Sequence, residues 1–255
     1  MKAIQKTLDA IRKNKGLALV NCMVDGVYIV SLAWLTSNLM TELAPLMKGM
    51  QDLFSKISPT DPKASELLVA NQAQLMDTYS QMMAVIGIHA ILFVILWIIL
   101  SGASWYLAHK ICKTKMSWTQ YAKQFVSVTA IGIALAGVLY LAIISVGQAT
   151  SAITMVIPPE AIYFATLVMT IVVLFLTFFG YADIPHNTGI RAYLSRLGKK
   201  WKAGAIGFIV FVGSVVVTNY LMQFLIGTVW VFLVMAFVAL PIYCLGRIFM
   251  IEMVK

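Results

Sequence analysis

Charge is what this chain has least of. Only 11% of its 255 residues are Asp, Glu, Lys or Arg, less than half the roughly one-quarter share usual in soluble domains. So little charge cannot cover a globular surface in water, which excludes an ordinary soluble domain. Cysteine is equally sparse. Cys22, Cys112 and Cys244 stand far apart and make no C-x-x-C spacing, so neither a disulfide framework nor a zinc site is implied. They read as small apolar fillers.

The chemical motifs are missing too. There is no H-E-x-x-H, G-x-S-x-G, G-x-x-x-x-G-K-[ST] or G-x-G-x-x-G, the signatures of zinc proteases, serine hydrolases, P-loops and dinucleotide folds. No cofactor is implied, and no stretch is long and polar enough for a nucleotide-binding domain. Acids number 10 against 19 Lys and Arg, a formal net charge of +9. Taken alone, that excess suggests nucleic acid. The basic residues stand between apolar runs, however, where their task is orientation. Nucleic acid is therefore not an expected partner. The expected partners are the bilayer, with anionic headgroups on the basic side, and a possible protein within the membrane.

Long apolar runs are what the chain has instead. Spans are expected at about 17–40, 84–108, 125–147, 161–181, 205–226 and 228–250, each near the ~20 residues needed to cross about 30 Å of hydrocarbon. The first follows a basic N-terminus, as a signal peptide would, but is longer than an h-region of roughly 7–15 residues. It reads as a retained span. The last two are joined by almost nothing at Gly227-Thr228, which requires a tight hairpin with Trp230 as an interface anchor. The expected fold class is an all-α integral membrane protein, one transmembrane domain over residues 1–255.

Sixteen of the 19 Lys and Arg fall on one side of these spans: at the N-terminus, in the loops 109–124 and 182–204, and, with Arg247 and Lys255, at the C-terminal end. Lys48, Lys56 and Lys63 alone fall on the other. The positive-inside rule then puts both ends in the cytoplasm. The outer face lacks glycosylation-type and disulfide features, which points to a prokaryotic cytoplasmic membrane.

Each odd-numbered span follows a short basic stretch with helical apolar spacing. Ile4, Leu8 and Ile11 share a face within residues 1–16. Trp118, Tyr121, Ala122 and Phe125 recur before span three. Ile190, Tyr193, Leu194, Leu197 and Trp201 do so before span five, with Arg191, Arg196, Lys199, Lys200 and Lys202 around them. These are expected as amphipathic juxtamembrane helices on anionic headgroups, in a unit of surface helix, span, span used three times. The rival reading is plain helix extensions with snorkelling basic residues.

Residues 41–83 are the one sizeable segment outside the bilayer. Leu46, Met50, Leu53, Phe54 and Ile57 have helical spacing after Pro45. The breaker Ser58-Pro59-Thr60-Asp61-Pro62 precedes a second periodic run into span two. A small extracytoplasmic helical hairpin is expected. Its acids are scattered, with no converging set of oxygen ligands.

Ionisable groups within spans are functional candidates by default. Asp25 is the foremost, roughly 13 Å into span one at about 1.5 Å per residue, with Asn21 one turn away on the same face. Gly26 beside it lets another helix approach closely. Asp25 bridges to a neighbouring helix, lines an ion or proton path, or pairs with a partner subunit. His89 in span two is level with Gln223 in span five, and Asn219 shares the face of Gln223. These three form a possible second polar cluster. Pro241 interrupts span six, and Gly132, Ala136 and Gly137 give span three a small face. Asp183, Pro185 and His186 read as an interfacial turn rather than an acid–base pair.

Three function classes follow. A non-catalytic membrane subunit or scaffold of a larger complex leads. A small transporter or channel subunit with Asp25 on the path comes second. An intramembrane enzyme using His89 or Asp183 and His186 comes last.

Overall fold

A chain that must satisfy its backbone without water has helices as its simplest solution, and the described residues adopt them almost throughout. A computed structural model describes residues 2–55, 64–152, 159–186, 190–223 and 234–255. Its helices are α1 Lys2–Lys13, α2 Lys15–Ser55, α3 Ala64–Leu96, α4 Gly102–Ile111, α5 Trp118–Ala152, α6 Pro159–Asp183, α7 Ile190–Gln223 and α8 Leu240–Val254. Among the described residues, six segments are long and apolar enough to cross a membrane: Lys15–Ser55, Val69–Ile111, Trp118–Ile143, Phe164–His186, Arg191–Tyr220 and Phe237–Val254. The six expected spans each fall on one of these. The Gly227-Thr228 hairpin and Trp230 lie outside the described residues.

Two five-residue π-turns interrupt the ladder, at Trp97–Ser101 ahead of α4 and at Met235–Ala239 ahead of α8. The second has a direct cause. Pro241 sits in the first turn of α8, has no N–H to give, and crowds the carbonyl of the preceding turn. A π-turn widens the helix there, so the break expected at Pro241 takes this form.

Pro45 behaves differently. It lies inside α2, which runs on as one helix of 41 residues. The two helices expected within 41–83 are therefore prolongations of spans one and two; the breaker around Pro59 lies outside the described residues. The basic stretches also differ among themselves. Only α1 is set apart from its span, by the turn at Asn14, whose amide donates to the Ala10 carbonyl (3.0 Å) and the Ile111 carbonyl (3.2 Å). Before spans three and five, α5 and α7 run straight from basic stretch into span. No residue there opposes the helix, so the stretch before each is an extension of the span, not a separate element.

The chain divides into two compact units: residues 27–100, and residues 1–26 with 101–255. In the first, Tyr28 meets Trp97 edge to face, with ring centroids 6.0 Å apart. In the second, α8 is the hub, packed against α1, α4, α6 and α7, while α5 pairs with α6. Lipid is as apolar as leucine, so helix pairing here rests on close fit and polar links. Gly132 gives α5 that fit: a Cβ there would come 2.6 Å from the Thr177 hydroxyl oxygen. Gly137 has open space around it and Ala136 is exposed, so only part of the small face is used. Phe125 stacks on Tyr181 at 4.3 Å, and Trp105 sits among Phe178, Tyr181 and Phe211.

Candidate intramembrane site

Asp25 and Asn21 are separated by one helical turn on α2, and both are buried. The spacing puts them on one face, which in the second unit meets α4 and α8. From α8 come Cys244 and Arg247, three residues apart and also buried; from α4 comes Ser104.

Arg247 is the centre of the set. Its Nη2 lies 2.5 Å from Asp25 Oδ2, and its Nη1 donates to the Ser104 hydroxyl. The Ser104 hydroxyl faces Asp25 Oδ1 at 2.7 Å and also Asn21 Oδ1. With one proton it donates to only one of the two oxygens at a time, while its lone pairs accept from the guanidinium. The Asn21 amide completes the ring by donating to Cys244 Sγ at 3.3 Å. Cys22 also lies beside Cys244, so two of the three cysteines that are distant in sequence come close here.

The pairing is close but not saturated. Asp25 Oδ2 takes no well-aligned hydrogen bond despite its ionic contact, and Arg247 Nε has no partner among the described residues. Two opposite charges a few ångströms apart in a medium of low dielectric attract strongly, yet desolvation cancels much of the gain. The pair fixes which helices meet more than it adds to stability. Gly26 serves the same contact, since a Cβ there would lie 3.3 Å from Leu240.

Arg247 corrects the sequence reading. It was grouped with the C-terminal basic residues that set orientation; it is instead spent on Asp25. The signal was present: among the expected spans, Asp25 is the single acid and Arg247 the single base.

A second buried link lies at the basic end of the same unit. Asp183 is fully buried, and Arg196 Nε donates to both its oxygens, at 2.7 and 2.9 Å, while Nη2 donates to the Val254 carbonyl at 3.2 Å. Arg196 is thus turned inward, whereas Arg191, Lys199 and Lys202 are exposed and Lys200 half-buried. Pro185 and His186 form a single 3₁₀ turn with Ile184, and His186 is exposed. His109 Nε2 meets the Tyr181 carbonyl at 2.8 Å. Lys255 reaches the Cys112 carbonyl and Glu252. Burial pushes the Cys112 thiol up to about 12, with Glu252 adding to it.

His89 is buried, but its Nδ1 meets the Val85 carbonyl of its own helix at 2.9 Å. Asn219 is exposed, and the side chain of Gln223 lies outside the described residues.

Set against family models, curated proteins and solved structures, the chain matches none. Its class rests on its own features. Six apolar helices of spanning length make it a polytopic helical membrane protein.

Proposed function

We propose that the chain is a non-catalytic membrane subunit or scaffold of a larger complex in a prokaryotic cytoplasmic membrane, with both ends in the cytoplasm. One observation carries the reading: the deepest charge of the first span is tied to the one base of the last by a buried pair, with Ser104 bound to both partners and Asn21 bound to Ser104. An arrangement that joins the start of the helix set to its end serves cohesion. Its cost in desolvation is repaid in specificity of pairing. The exposed Arg191, Lys199 and Lys202 then face anionic headgroups, and the long prolongations of spans one and two offer a surface to a partner.

Mild-detergent affinity purification of the tagged chain from its native membrane, followed by intact-mass measurement, tests this. A stoichiometric second protein is expected. Solute movement or lipid turnover by the purified chain alone in liposomes sinks the reading.

A transporter or channel subunit is the second reading, favoured by the buried Arg247 Nε, which has no hydrogen-bond partner among the described residues. An ion or proton path needs such groups inside the membrane. Under it, Asp25→Asn abolishes a coupled flux and leaves folding intact. Loss of thermal stability without any flux to lose assigns the acid to structure.

A further inference from the structure

An apolar cleft of about 200 Å³ lies between α1, α7 and α8, lined by Ile4, Thr7, Leu8, Val210, Ile242 and Phe249 among others. It is smaller than the roughly 300–1,000 Å³ that encloses a drug-sized ligand, and far too narrow for a helix about 10 Å across. A single slender hydrocarbon chain is the shape that suits it. Two of its walls, α7 and α8, belong to segments apolar enough to cross the membrane, so acyl chains are the molecules at hand.

Two further features select among lipids. Thr7 is 3% exposed, yet its hydroxyl has no hydrogen-bond partner among the described residues. A threonine inside a helix ordinarily turns its hydroxyl to a carbonyl of the preceding turn, as Thr129, Thr177 and Thr218 do here. Thr7 holds an unused donor at the cleft wall. An ester carbonyl of a glycerolipid is an acceptor of the right kind. Lys6, Arg12 and Lys13 are exposed on the same helix, opposed there only by Asp9. Ile4 and Leu8 line the cleft while staying 55% and 44% exposed, and the exposed Arg12, one turn after Leu8, flanks the same face of α1.

We infer that the cleft holds one acyl chain of an anionic glycerophospholipid, with Thr7 at its ester region and its phosphate on Arg12. This site is independent of the scaffold reading, since either a subunit or a transporter can carry it.

The test uses the full chain reconstituted in vesicles of equimolar phosphatidylglycerol and phosphatidylcholine, then native mass spectrometry of the extracted protein. One phosphatidylglycerol per chain is expected, retained over phosphatidylcholine by about tenfold, given the pull of each basic residue on an anionic lipid. Leu8→Trp fills the cleft and removes the retained lipid, with an unchanged melting temperature in lipid-free detergent. Thr7→Val keeps the shape and weakens retention. Arg12→Glu erases the preference between the two lipids, and Lys6→Glu, on the opposite side of α1, leaves it in place. Equal uptake of both lipids by the unaltered chain overturns the inference, as does full retention by Leu8→Trp or Thr7→Val. A homodimer cross-linked across Phe249 overturns it too, by giving the cleft to a second copy.

Discussion

At the scale of single residues, the Asp25–Arg247 pair makes the sharpest prediction. Removing one partner leaves the other charge buried and unmatched, a loss of about 3–5 kcal/mol; removing both with apolar residues of similar volume is close to neutral. Asp25→Leu or Arg247→Met alone should therefore sharply lower the melting temperature in detergent, and the double variant should recover most of it. A double variant no better than either single one would mean that the pair is not the contact that matters. Cys112 gives a prediction in pH. Its raised value keeps the thiol protonated through neutral and mildly alkaline conditions, and the thiolate is the reactive form. Maleimide labelling of Cys112 in the folded chain should stay slow up to about pH 10, then match a free thiol once the protein is denatured.

Between elements, the α5–α6 contact separates two glycines that look alike in sequence. Gly132→Val drives a side chain into Thr177, whereas Gly137→Val meets open space. The first should destabilise by about 1–3 kcal/mol, the usual cost of overpacking, and the second by much less; thermal melting of the two variants measures it. The π-turn before α8 gives a further test. Pro241→Ala restores the missing N–H, so the helix from Met235 onward can close with regular bonds. Faster amide exchange in that turn for the unaltered chain than for Pro241→Ala is the expected result. Equal exchange would detach the π-turn from the proline.

On the scale of the whole molecule, the six spans were legible because twenty apolar residues in a row have one physical use. Partners were not. Hydrophobicity tells a helix that it belongs in the membrane but not which neighbour it touches, so His89, Asn219 and Gln223 were grouped by depth alone. His89 bonds its own helix and Asn219 is exposed, while the side chain of Gln223 lies outside the described residues. Charge balance carries more information than depth. Asp25 was found by its rarity, and the same rarity marks Arg247, which was instead counted among the orienting charges. Its removal from that count leaves the charge asymmetry intact, so a reporter fused at either end of the chain should read as cytoplasmic. Pro45 was over-read, because a proline within a long helix costs one bond there without ending it.

The partnership of Asp25 and Arg247 also has an order in time. The two residues are made at opposite ends of synthesis, so the first span enters the bilayer carrying a carboxylate with no counter-charge, and waits. Until α8 arrives, the hydrogen bond to Asp25 among the described residues is that of Ser104, which also faces Asn21. A chain stalled or clipped before residue 247 would keep that acid uncovered in lipid, a ready mark for the proteases that clear incomplete membrane proteins. The arrival of α8 therefore closes that interval, and pulse-chase of a chain truncated at Leu245 should show it disappearing well before the untruncated chain.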